Sequence, residues 1–316
     1  FTDEVQSRVN RLQHFVDDDN ALLAMAGAIA ADAPDVLIYP EIGMEPVIEK
    51  LAAMRLAPLQ CALWGHPVTT GLPTIDVFLS AAALEPEHAQ THYRERVHLL
   101  PGLGTCYPAP PLPSPLGRSE LGLPLAGTLA VCAQSPFKWN PGFTRATAEI
   151  LRQSPEAKLV VFDSPLASRS RVFDDYLRHF FAPVGIDIAT RVVRLPQRSR
   201  ADFLAVLAHC DVALDTFGFS GGNTSLDALS VGLPVVTLPG EFMRGRQTFA
   251  MLKTLQSDAC DALIARDETH YVELVTRLLG DAPMRSAARE AIAANAHKLV
   301  DDPAPVAALR AWLLEQ

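Results

Sequence analysis

The sequence predicts an α/β protein built from two doubly wound parallel-sheet domains. Short apolar runs alternate with helix-length amphipathic stretches through most of the chain. Between Pro101 and Pro124 that alternation stops, in a stretch with seven prolines and almost no periodicity. Past it, Asp211 to Gly240 reads as strand, loop, helix and strand, the repeating unit of a parallel sheet. The proline-rich stretch reads as a linker and sets the expected domains at residues 1–118 and 119–316.

The elements follow in chain order. The chain opens at Phe1 on a helix-like segment over 2–15, and a second helix over 20–33 ends at Pro34. DVLIY, 35–39, is a buried strand, followed by the loop PEIGMEP and a crossover helix over 47–55. A strand over 59–64 leads into the loop WGHPVTTG, 64–71, and then into the strand IDVFLS. Beyond the linker, strands are expected over 128–133, 158–162 and 191–195, with helices over 143–153, 171–183 and 201–210. The remainder from Thr269 is helical, broken at 280–283 and 301–305.

Composition narrows the function classes. A chain of 316 residues, 49% hydrophobic and 20% charged, has ample material for two cores. Its net charge of −9 argues against a nucleic-acid or anionic-membrane surface. No apolar run approaches the ~18 residues of a membrane span. Five cysteines without CxxC or CxH spacing point to a reduced, cytoplasmic protein with buried thiols and no zinc site. Asp17 to Asp19 is acidic but sits in a polar run, and reads as a solvated turn. Hydrolase, P-loop and dinucleotide fingerprints are missing from the sequence.

The unit from Asp211 to Gly240 has its own chemistry. A strand over 211–215 runs into a loop rich in Gly and Phe, and Asn223 or Thr224 can cap a helix bearing Leu226, Leu229 and Val231. Free N–H groups and the positive end of a helix dipole then lie just past a strand end, where a phosphate can sit. Gly221 and Gly222 admit a ligand close to the backbone, and Asp227 could accept hydrogen bonds from a ribose. The alternative is a tight strand-to-helix turn that binds nothing.

GGNTSLDALSVGLPVVTLPGEFMRGR, 221–246, resembles the donor-binding region of the O-linked N-acetylglucosamine transferase family, which reads G-H-T-T-x-x-D-x-L-x-x-G-x-P-x-V-T-x-P-G-E with a nearby Arg. WGHPVTTG is similar to that family's L-G-Y-P-G-T-[ST]-G, and QSPFKWNP to its N-x-x-K-[IL]-x-P. The resemblance implies a GT-B fold, with two Rossmann-like domains facing a cleft, and a nucleotide-sugar glycosyltransferase. It implies donor contacts at Lys138, at Gln134 or Ser135, at Arg198 or Arg200, at Gly221 through Thr224, at Asp227 and at Arg246. Gly222 stands where the family has its signature His.

On the first domain the resemblance places WGHPVTTG near donor and acceptor. His66 is then a candidate general base, with an ordinary imidazole pKa near neutral, and Glu41 is the other. Their structural alternatives are a hydrogen-bonded histidine and a helix-capping carboxylate. Lys138 is expected to stabilise charge on the leaving diphosphate, so that no metal is required. The implied reaction moves a sugar, foremost N-acetylglucosamine, from a UDP-sugar to a protein Ser or Thr hydroxyl with inversion. In that family helical repeats precede the catalytic region, so the chain is expected to be a fragment with an incomplete first domain. A noncatalytic or truncated module that binds UDP or a protein partner without turnover is the second expectation, because Gly222 replaces the His and no family catalytic histidine is matched.

Overall fold

The computed structural model describes residues 6–15 and 20–316. Of the helix expected over 2–15, residues 2–5 lie outside the described residues and 11–15 have no helical structure. Asp17 to Asp19 also lie outside them. The chain divides into two units, one of Phe1–Ser80 with His88–Leu99, the other of Ala81–Glu87 with Leu100–Gln316.

In the first unit, α1 (Ala21–Asp32) ends where Ala33 turns left-handed and returns its N–H to the Ile29 carbonyl, just ahead of Pro34. The strands are β1 (Val36–Tyr39), β2 (Leu59–Leu63), β3 (Val77–Ala81) and β4 (Arg96–Leu100), side by side in that order. β1, β2 and β3 are parallel, with Val36 opposite Leu59 and Cys61 opposite Val77. Such pairing requires a crossover, which α2 (Pro46–Ala52) supplies between β1 and β2, started by a proline whose missing N–H costs nothing at a helix N-terminus. β3 is buried along its whole length. β4 is a strand that the sequence pattern did not announce: it ends the sheet order and four of its five residues are partly or fully exposed, so its apolar signal is diluted.

The second unit holds β5 (Leu129–Cys132), β6 (Lys158–Phe162), β7 (Val192–Leu195), β8 (Val212–Leu214) and β9 (Val235–Val236). They form one parallel sheet in the order β7-β6-β5-β8-β9. β5 and β8 are buried throughout and correspondingly apolar, as the middle of a sheet covered on both faces must be. Successive strands move outward from β5 to β7, and the chain then crosses to the other side for β8. That reversal leaves a crevice beyond the C-terminal ends of β5 and β8, the usual ligand position in an open α/β sheet.

Helices α3 (Pro141–Gln153), α4 (Ala167–Phe181), α5 (Arg200–His209) and α6 (Asn223–Ser230) connect these strands. After β9 come α7 (Gln247–Thr254), α8 (Glu268–Gly280), α9 (Ala282–Asn295) and α10 (Ala304–Leu313). The proline-rich stretch packs as part of this unit. Leu121 and Leu123 are 0% and 4% exposed, and Arg118 donates to the carbonyls of Gly127 at 3.0 Å and His209 at 2.9 Å. Among the described residues, no helix is long and apolar enough to cross a membrane.

Candidate functional site

The crevice beyond β5 and β8 is built by two loops and one helix start. After β5 the chain makes a short turn at Pro136–Lys138 before α3, whose first N–H groups are capped by Asn140 accepting from Phe143 N at 2.9 Å. The same Asn140 donates to the Phe217 carbonyl at 2.7 Å, tying this turn to the loop after β8. Lys138 Nζ is thereby brought across to the Ser220 carbonyl at 3.0 Å and to Gln134 Oε1 at 3.2 Å, and it lies 4.3 Å from the centre of the Phe219 ring. Gln134 Nε2 donates onward to Thr224 Oγ1 at 2.7 Å. Of the two polar residues that compete after β5, Gln134 is the one whose side chain joins the cluster.

Gly222, not Asn223 or Thr224, occupies the cap position of α6, and Asn223 is already helical. Ser225 N and Leu226 N both return to the Gly222 carbonyl, at 3.0 and 3.1 Å. The N–H groups of Asn223 and Thr224 precede any intrahelical acceptor and face outward from the helix start. Gly221 leaves no space for a side chain, because a Cβ there would overlap Gln134 Nε2 and Ser225 Oγ. At Gly222 a Cβ would come within 2.5 Å of Gln247 Oε1, so a buried glutamine from α7 fills the space beside the position where the family's histidine is missing.

A buried acid holds this loop in shape. Asp215, 1% exposed, accepts from Gly221 N at 2.7 Å, Ser220 Oγ at 2.8 Å and Thr237 Oγ1 at 2.7 Å, and Tyr271 Oη donates to its backbone carbonyl at 3.1 Å. Thr248 extends the network to Ser220 Oγ at 2.9 Å and Ser225 Oγ at 2.7 Å. Burial raises the Asp215 carboxyl above its usual range against the pull of those donors. Burial likewise lowers the Lys138 ammonium, while Asp215 acts in the opposite direction. A desolvated ammonium, a row of free helix N–H groups and glycines that expose backbone together form a cradle for an anion such as a diphosphate.

The other sequence candidates fall in different places. Asp227, one turn into α6 and 6% exposed, accepts from Arg200 Nη2 at 2.8 Å. Arg198 instead donates to the Leu121 carbonyl at 2.6 Å, so it braces the proline-rich stretch, and Arg200 is the cation beside the ribose candidate. Arg246 donates to the carbonyls of Leu84 at 3.0 Å and Gly240 at 3.3 Å and stacks 4.6 Å from the Phe249 ring centre. It clamps residues 81–87 against the loop after β9.

In the first unit, Glu41 and His66 lie on neighbouring loops after β1 and β2. Gly65 N donates to the Pro40 carbonyl at 3.1 Å, and a Cβ on Gly43 would come within 2.9 Å of His66 Cδ2. Glu41 Oε2 accepts from Met44 N at 2.9 Å, which fixes the turn ahead of α2. A residue that sequence reading passed over, Glu95, is 2% exposed and binds the far end of WGHPVTTG. It accepts from Thr69 Oγ1 at 2.6 Å, from Thr70 N at 2.7 Å and from the Thr70 hydroxyl. Burial pushes this carboxyl up, but the threonine donors outweigh that and hold it below its usual range.

Residues 116–300 match the sequence model of glycosyl transferase family 41. The probable UDP-N-acetylglucosamine–peptide N-acetylglucosaminyltransferase SPINDLY of Solanum lycopersicum is 28% identical over 265 residues, covering 81% of this chain and 27% of that protein. The probable transferase SEC of Arabidopsis thaliana, with the same enzyme description, is 28% identical over 250 residues, covering 74% of this chain and 24% of that protein. The chain thus spans about a quarter of the length of these curated relatives. Among solved structures, an O-GlcNAc transferase mutant of Thermobaculum terrenum has a TM-score of 0.74 at 24% identity, covering 94% of this chain and 57% of that one. Anabaena HepE, in complex with UDP and glucose, has a TM-score of 0.67 at 12% identity, covering 100% of this chain and 89% of that one. At these identities the superpositions speak to fold.

Proposed function

We propose, given that this chain belongs to glycosyl transferase family 41, that it transfers a sugar from a UDP-sugar to a Ser or Thr hydroxyl of a protein with inversion, the sugar being N-acetylglucosamine. The fold is that of the GT-B glycosyltransferases. The observation that carries the reading is the Lys138, Gln134 and Thr224 cluster at the start of α6, beside glycines with no room for side chains. The relatives are named as transferases, so the reading without turnover is not favoured.

The chemistry assigned to these residues is charge stabilisation. The acceptor oxygen attacks the anomeric carbon, the bond from that carbon to the β-phosphate oxygen breaks, and UDP leaves with the electron pair. Lys138 and the N–H groups of Asn223 and Thr224 take up the charge that grows on the diphosphate, in a dry setting where such contacts act strongly. That scheme calls for no metal ion. Asp227, with Arg200, is assigned to the ribose, and the hydroxyl proton goes to a base for which His66 and Glu41 are the candidates in this chain. Five unpaired cysteines fit a reducing, cytoplasmic setting.

Calorimetry on Lys138→Ala tests the assignment. A charge-assisted hydrogen bond to phosphate contributes about 1.5–3 kcal/mol, so UDP should weaken by about tenfold or more while uridine changes little. Equal losses for UDP and uridine, or no loss for either, would show that Lys138 does not hold the diphosphate.

A further inference from the structure

Next to the anion cradle, and wholly within the second unit, lies a cavity of about 870 Å³. It opens between the turn after β5 and the first half of α4, with Trp139, Phe162, Phe173 and Tyr176 among its walls. It borders the donor cluster through Gln134, but no part of the donor has been assigned to it. We propose that this cavity anchors an apolar side chain of the acceptor peptide, with a neighbouring peptide carboxylate against Arg169. The proposal rests on the glycosyltransferase reading above and specifies its acceptor.

Three observations carry it. Gln134 lines the cavity and is also the residue whose amide joins Lys138 to Thr224, so the cavity adjoins the proposed phosphate cradle. A group lodged there is close to the proposed diphosphate, and the acceptor must approach the sugar that this diphosphate carries. The rim is apolar and open: Phe137 is 76% exposed and Val172 69%. Arg169, at the same mouth, is exposed, and its guanidinium has no hydrogen-bonded or ion-paired partner among the described residues.

The chemistry favours a peptide over the sugar itself. The lining is mixed: Trp139, Phe162, Phe173 and Tyr176 offer aromatic surface for an apolar side chain, and Asp163, Ser164, Ser168 and Gln197 offer polar groups for the peptide backbone beside it. Trp139 packs edge-on against Phe143 and Phe173, at 4.7 and 5.2 Å between ring centres, and Tyr176 Oη is committed to the Trp139 carbonyl at 3.1 Å. The walls are therefore held in place before anything binds, which suits an anchoring pocket. A cavity of this volume is on the order of 10 Å across, about three extended residues, so the anchor would sit within a few residues of the modified hydroxyl.

The test uses the full chain with UDP present and dye-labelled peptides that each contain one Ser, with Phe placed in turn at every position on either side of it. Fluorescence anisotropy should show one position of Phe that binds about tenfold or more tightly than the same peptide with Gly there. Val172→Glu, at an exposed site outside the donor cluster, should abolish that preference while UDP affinity by calorimetry stays within about twofold. Arg169→Glu should reverse the preference for Asp over Lys beside the Phe. The inference is overturned if no position of Phe matters, if the preference survives Val172→Glu, or if millimolar N-acetylglucosamine displaces the peptide, which would make the cavity a sugar subsite. Failure of UDP to bind would count against the glycosyltransferase reading instead, and the peptide preference, measured without UDP, would still decide the cavity.

Discussion

At the scale of single residues, two buried acids, Asp215 and Glu95, explain why the loops that carry the candidate chemistry have fixed shapes. Asp215 fixes the loop of the second unit and Glu95 that of the first. Both are buried in a chain whose other acids are mostly at the surface, and a buried carboxylate is tolerable only with a full set of donors. For Glu95 those donors hold the folded carboxyl below its unfolded value of 4.5, so its stabilisation is complete above that value and is lost as pH falls through the lower folded one. Glu95→Gln places an amide N–H₂ among groups that are already donors. It should cost about 2–3 kcal/mol at neutral pH, and thermal melts of variant and parent should converge only in acid, as the pH falls below the ordinary glutamate range and through the lowered folded value. A gap that persists unchanged into acid would mean that Glu95 works through packing and not through its charge.

At the scale of elements, the helix start at α6 is the centre of the proposed donor site, and its competence depends on Gly221. A Cβ there would push Gln134 away from Lys138 and Thr224. Gly221→Ala should therefore weaken UDP by about tenfold or more, with a loss of about 1–3 kcal/mol in stability from local overpacking. Undiminished UDP affinity in that variant would place the diphosphate elsewhere. The strand-loop-helix-strand pattern around Asp211 to Gly240 was legible because buried parallel strands are continuous apolar runs and glycines mark the turn between strand and helix. Lys138 and Asp227 were legible through spacing shared with the family. Asp215, Ser220, Thr248 and Gln247 were not, since their relevance lies in contacts between segments far apart in the chain, and a lone Ser, Thr or Gln carries no spacing signal. Arg198 and Arg200 illustrate the limit in a single loop. Two arginines separated by one residue face different partners, Leu121 and Asp227, and only the fold distinguishes them.

At the scale of the whole molecule, the proline-rich stretch changes meaning once its packing is seen. Prolines and lack of periodicity mark an irregular segment, but irregular backbone can still be buried where side chains and carbonyls find partners. Here Leu121 and Leu123 enter the core of the second unit, Arg118 bridges to the carbonyls of Gly127 and His209, and Arg198 reaches back to the Leu121 carbonyl. Burying two leucines contributes about 3–6 kcal/mol, a large part of the ~5–15 kcal/mol that holds a typical domain. A fragment spanning residues 81–316 keeps the second unit entire, including Leu84, whose carbonyl accepts from Arg246. It should bind UDP within about threefold of the full chain. A fragment that begins at Leu125 loses both leucines and Arg118, and leaves Arg198 without its acceptor. Calorimetric melting should place it about 10 °C or more below the longer fragment. If the two fragments melt together, the stretch before Leu125 is a passive connector. Should the longer fragment fold and yet show no affinity for UDP, the donor site needs more of the chain than the second unit provides.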